Sequence, residues 1–129
     1  MLTPEMLLCT KNLAELIKNT EEYAAVTAAS AKYEADEEIN LAMTEYSVQQ
    51  QALAAEFSKA ERDDSICSAI QERINEIYTR VVATEVYAEY KEASDAYEKL
   101  YAQVVDELNF QLTGKRSCSG DCSACGGCH

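Results

Sequence analysis

Apolar residues recur at three- and four-residue steps along five successive stretches of this chain, and each stretch opens on a residue suited to cap a helix. Thr3 precedes Pro4 and Glu5, a start signal, and Met6, Cys9, Leu13, Leu16 and Ile17 then form one apolar face. Asn19-Thr20 interrupts the pattern. Glu21 and Glu22 follow, where acids favour a helix start, and Tyr23, Val26, Ser30 and Tyr33 mark a thin stripe among alanines, as in a short helix packed closely by a neighbour. Asp36-Glu37-Glu38 opens a third stretch, with Ile39, Met43, Tyr46, Gln50, Leu53 and Phe57 as a heptad-like seam whose one polar member is Gln50. The charged connector from Lys59 to Asp64 lacks glycine and proline, which predicts a modest bend. Asp63 or Asp64 caps the fourth stretch, with Ile66, Ile70, Ile74, Ile77 and Val81 as its stripe, flanked by Arg73 and Arg80. Thr84-Glu85 opens the fifth, whose stripe is Tyr87, Tyr90, Ser94, Tyr97, Tyr101, Val104, Leu108 and Leu112. That helix is about 28 residues long, or about 42 Å, before Gly114 ends it.

Between Pro4, the single proline, and Gly114 there is no strong helix breaker, so the expected fold is all-α: about five helices in an antiparallel bundle-like arrangement with a long last helix. At 129 residues the chain is one domain, read as a helical body over 1–114 and a cysteine-rich tail over 115–129 that is too polar and glycine-rich to fold alone. Four tyrosines on one face of the last helix read as amphipathic core and interface residues, apolar in body with a hydroxyl at the edge. A long helix with a sustained seam calls for another chain, as a homodimer or as a complex with a related helical protein. The net charge of −12 disfavours direct nucleic-acid binding and anionic membranes, since both need a basic face. Met1 to Glu5 reads as a helix start rather than a signal peptide, and no window approaches a membrane span, so a cytoplasmic location with reduced thiols is expected.

Chemistry concentrates in the last twelve residues. Cys118, Cys122, Cys125 and Cys128 follow a C-x3-C-x2-C-x2-C spacing and end in His129, the only histidine. Small residues separate the thiols, so four sulfurs can converge on one metal or cluster. A 4Fe-4S iron–sulfur cluster takes such thiolates. Zinc held by four thiolates, or by three and the imidazole of His129 as a spare ligand, is the alternative, although most zinc modules separate two ligand pairs by a longer loop. Overlapping C-x2-C pairs also permit thiol–disulfide exchange. The first three cysteines match the spacing of radical-SAM enzymes, but the chain lacks the alternating strand–helix pattern of those barrels. Cys9 and Cys67 fall near apolar stripes and read as small hydrophobes. No histidine in the body could pair with a cysteine, no glycine loop could hold phosphate, and no Glu-x-x-His pair could hold di-iron. The chain is therefore not expected to be an enzyme or to bind a small-molecule substrate.

The order of these elements, with Leu13-Ala14-Glu15-Leu16-Ile17, Thr20-Glu21-Glu22-Tyr23, Gln49-Gln50-Gln51 and Val86-Tyr87-Ala88-Glu89-Tyr90-Lys91-Glu92-Ala93, resembles the YlbF/YmcA/YheA family of small bacterial helical regulators over about residues 4 to 112. The resemblance implies a non-enzymatic protein that forms dimers or complexes with its relatives. For the YlbF and YmcA branch it implies a complex with a third protein, YaaT, and iron–sulfur clusters held by cysteines. It also implies links to sporulation, competence and biofilm decisions, and to RNA maturation through RNase Y. The cysteine tail favours the YlbF-like branch and, with it, the iron–sulfur reading.

Overall fold

The computed structural model describes residues 1–116 as five helices joined by short turns, with no strand among the described residues. They are α1 (Pro4–Lys18), α2 (Glu21–Ala35), α3 (Glu37–Phe57), α4 (Asp64–Val82) and α5 (Glu85–Thr113). Each begins where a side-chain oxygen takes an otherwise unpaired backbone N–H. Thr3, Thr20 and Thr84 accept from the N–H groups of Met6, Tyr23 and Tyr87, and Asp36 accepts from Ile39 at 2.9 Å. Of the two candidate caps for α4, Asp63 does the work, accepting from Ser65 and Ile66. Gly114 ends α5 at φ +70°, the left-handed conformation that glycine adopts without strain, and donates its N–H to Phe110 at 2.7 Å.

Two antiparallel pairs make up the fold. In the first, α3 folds back on α4 around a small core in which Ala42, Ile77 and Val81 are buried and Tyr46 and Tyr87 pack alongside. In the second, α2 lies along the first half of α5. Tyr23 meets Tyr97 edge-on at 5.9 Å between ring centres, and Tyr33 stacks on Tyr90 at 4.9 Å. Tyr87, Tyr90 and Tyr97 of the stripe thus form a helix–helix interface, whereas Tyr101 is exposed.

The sequence reading needs three corrections. The connector is a full reversal rather than a modest bend, because Glu56, only 5 % exposed, accepts from the backbone N–H of Asp63 at 3.0 Å and from Lys59 at 2.6 Å. A carboxylate satisfied from both sides tightens this turn without glycine or proline. The inward face of α3 is also rotated in part from the expected seam: Ile39, Tyr46 and Leu53 face inward as expected, but Ala42 and Glu56 are buried while Met43, Gln50 and Phe57 are exposed. Small Ala42 lets α4 approach at the crossing, and the acid at 56 displaces the aromatic beside it. Finally, Cys67 is half-buried but Cys9 is exposed, so Cys9 is not a core residue within this chain.

Candidate functional site

The α3–α4 pair carries the densest polar cluster. Arg73 reaches across to Glu45 with Nε at 2.7 Å and with a second, shorter contact, and it also holds Glu76 at 2.9 Å; Arg80 meets the other oxygen of Glu45 at 3.3 Å. The hydrogen bond from Arg73, reinforced by its charge and by Arg80, holds the Glu45 carboxyl below its ordinary range. Glu56 is likewise held low by its hydrogen bonds from Lys59 and from the Asp63 backbone. Every buried side-chain polar atom among the described residues has a partner. This cluster is a fully paired brace between two helices and offers no free group for chemistry. Among the tyrosines, burial beside the Tyr87 and Tyr90 rings pushes the Tyr33 hydroxyl up.

A different environment lies at the other end of the molecule. Neither α1 nor α5 has a single fully buried residue, although both carry a continuous apolar stripe. The α5 stripe is half-covered by α2 as far as Leu100, and beyond it Tyr101, Leu108 and Leu112 are exposed. Leu2, just before α1, and Met6, Leu7, Leu8 and Leu16 on it are exposed as well. No Cα of α1 comes within 8 Å of a Cα of α5, so the two helices stand farther apart than a packed pair. The space between them is a groove of about 390 Å³ lined by Leu13, Ala14, Ile17, Tyr97, Val104 and Leu108. Sequence reading identified these stripes but not that they go unpaired; the wide spread of leucines around α1, including Leu7 and Leu8, is the signal that one neighbour cannot cover that helix.

The proposed ligands Cys118, Cys122, Cys125, Cys128 and His129 lie outside the described residues. Among the described residues no group of three histidine, cysteine, aspartate or glutamate side chains is placed to hold a metal ion. The structure does define where the tail departs. Arg116 lies over the Phe110 ring at 4.2 Å and pairs with Glu107 at 3.0 Å, folding back along the last turns of α5. Hydrogen bonds from Gln111 and Arg116 hold the Glu107 carboxyl below its ordinary range. No helix among the described residues is long and apolar enough to cross a membrane.

Comparison with known proteins places this arrangement. No curated protein matches the chain. The structure of Bacillus subtilis RicA, solved in complex with RicF, superimposes with a TM-score of 0.73 at 16 % identity, covering 88 % of this chain and 97 % of that one. At that identity the likeness establishes the fold. Residues 9–113, spanning all but the first turn of α1 through the end of α5, match the family described as control of competence regulator ComK, YlbF/YmcA, and the chain belongs to that family.

Proposed function

We propose that this chain is a non-enzymatic regulatory adaptor of the YlbF type, which joins a related helical chain in a complex and carries an iron–sulfur cluster on its C-terminal cysteines. The observation that carries the reading is the open end of the molecule, where amphipathic α1 buries none of its residues and the last turns of α5 continue an apolar stripe into solvent. A helix stays folded in water chiefly by packing such a face, so these helices fit a protein whose folding is completed by a partner. Support for a related partner comes from RicA, which was solved with a second protein, RicF. On this reading the chain works in the cytoplasm with YmcA- and YaaT-like partners, and feeds RNase Y-linked RNA maturation and the competence, sporulation and biofilm decisions. The thiolates of Cys118, Cys122, Cys125 and Cys128 supply the soft donor set a cluster requires.

Two measurements test the proposal. The first is anaerobic purification of the full chain with iron, sulfide and zinc quantified and a visible spectrum recorded. Stoichiometric iron and sulfide with a broad visible band, lost when Cys118, Cys122 and Cys125 become serine, is the expected result; tight zinc without the band would make the tail a structural clip. The second is removal of residues 117–129, which should weaken partner binding without abolishing it. Complete loss of function with partner binding intact would instead make this a metal or thiol-redox protein whose body only dimerises.

A further inference from the structure

Four tyrosines from four different helices converge on one cavity. Tyr33 of α2, Tyr46 of α3, Tyr78 of α4 and Tyr87 of α5 line a hollow of about 230 Å³ where the α2–α5 pair meets the α3–α4 pair. Buried Ile77 and Val81 supply its inner wall, and Met43 and Tyr78, 43 % and 59 % exposed, carry it out to the surface. The Tyr33 and Tyr87 rings lie 6.4 Å apart between centres and are inclined at 53°, a corner rather than a stack. No carboxylate or amide side chain among the described residues lines the cavity. Tyrosine hydroxyls are its only strong polar side-chain groups, and that of Tyr46 already accepts from Gln50 Nε2 at 2.8 Å.

We infer that this cavity is a binding site for a quaternary ammonium group, the choline class of organic cation. Ring faces carry partial negative charge and attract a cation that comes within about 6 Å. The surrounding body adds charge of the same sign: residues 19–97, which include the whole lining, hold seventeen acids against six bases. That field draws cations in and keeps anions out. The kind of cation follows from what the lining lacks. A guanidinium or a primary ammonium would bring several N–H donors into a cavity with few acceptors, and a buried donor left unpaired is costly. A quaternary ammonium has no donor, and its methyl groups pack against rings, Met43 and Val81 alike. The volume agrees, since it lies below the roughly 300–1,000 Å³ of drug-sized sites and suits one small head group. The chain's own cations near these tyrosines are engaged elsewhere, Arg73 and Arg80 on Glu45 and Lys91 on Asp95. A ligand in this position touches α2, α3, α4 and α5 together, and so braces the two helical pairs against each other.

Choline and its neutral isostere 3,3-dimethylbutan-1-ol, titrated into the full, reduced chain and followed through tyrosine-ring and methyl NMR signals, test this. Choline is expected to shift the signals of Tyr33, Tyr46, Tyr78 and Tyr87 saturably, to raise the melting temperature, and to bind at least about tenfold more tightly than the isostere. Its affinity should fall between about 50 and 500 mM salt, and that of the isostere should not. Tyr78→Ala removes one exposed wall without touching the core and should weaken choline at least about threefold, whereas Tyr78→Phe keeps the ring face and should bind as before. Tyr101→Ala, at an exposed tyrosine outside the cavity, should change nothing. A short peptide carrying one trimethyllysine separates the two sources of such a group: tighter binding than choline assigns the ammonium to a modified protein, and weaker binding to a free small molecule, the site standing in both cases. Equal affinity for choline and the isostere would make the cavity merely apolar, and saturable shifts from neither would make it a packing gap; either result overturns the inference.

Discussion

In the α3–α4 hairpin, apolar spacing, opposed charges and the turn converge on one another. Ile77 is 1 % exposed, Arg73 and Arg80 close on Glu45, and Glu56 knots the turn. At the α1/α5 end the same ingredients, capped helices with apolar stripes, bury no residue fully. The difference lies in what each stripe meets. The hairpin's two stripes run antiparallel through a short turn and must collide, whereas α5 outruns α2, 29 residues against 15, and its surplus length has no antiparallel partner within the chain. Helix length, not helix quality, divides the self-sufficient half of the molecule from the dependent one.

The largest effect should come from breaking the self-sufficient half. Ile77→Ala opens a cavity against Ala42 and Val81 and is expected to cost about 2–5 kcal/mol, read by thermal or denaturant unfolding of the dilute chain. Leu16→Ala, at an equally apolar residue on α1, should change the same measurement by no more than about 0.5 kcal/mol. Comparable losses from the two would mean that α1 packs within the chain after all.

Acid should separate the halves next. Glu45 and Glu56 are held below the ordinary glutamate range when folded, so as pH falls the unfolded chain takes up protons first. Their contribution is fully present above about pH 5 and is lost as pH drops through their folded values. The melting temperature should therefore fall by several degrees on acidification, and Glu45→Gln with Glu56→Gln should start lower and respond less steeply. Glu15 and Lys18 on α1 pair with both side chains exposed, so Glu15→Gln should leave the melting temperature at neutral pH unchanged.

Much of this contrast was legible in the sequence. Thr3, Thr20, Asp36, Thr84 and Gly114 each mark a helix end in the expected place, because a cap is a local interaction between a side chain and backbone a few residues away. The Ile74, Ile77 and Val81 stripe was equally plain. What could not be read was the rotation of α3. Heptad spacing selects Met43, Gln50 and Phe57 for the seam beside Ile39, Tyr46 and Leu53, but the face that packs is chosen by how closely α4 approaches Ala42 and by a carboxylate, Glu56, whose burial depends on the backbone of a turn seven residues on. The sequence alone does not choose between Asp63 and Asp64 as the cap of α4 for a similar reason: the turn's own hydrogen bonds decide it. As for the site, the apolar stripes of α1 and α5 were visible and their lack of a neighbour was not, since periodicity says which face is apolar and never what covers it. The cysteine spacing was the plainest chemical signal, and it falls outside the described residues.

The smallest global effect should come from Gly114→Ala. At φ +70° an alanine meets no neighbouring atom within 4 Å, so the penalty is backbone strain alone, about 1–2 kcal/mol for a left-handed alanine. Strain at the end of an exposed helix is relieved locally: the last turn frays, releasing the Gly114 N–H from Phe110 and loosening Arg116 from Glu107. Amide exchange should therefore quicken over the final turn of α5, while exchange in α3 and α4 and the melting temperature of the dilute chain stay put. Because the paired face of the tip would be reshaped, association should weaken even though unfolding does not. That pairing of outcomes is what distinguishes an end that waits for a partner from one that belongs to the core: if the melting temperature fell as it does for Ile77→Ala, strain at the tip would be reaching the hairpin, and the division of the molecule into a self-sufficient and a dependent half would fail.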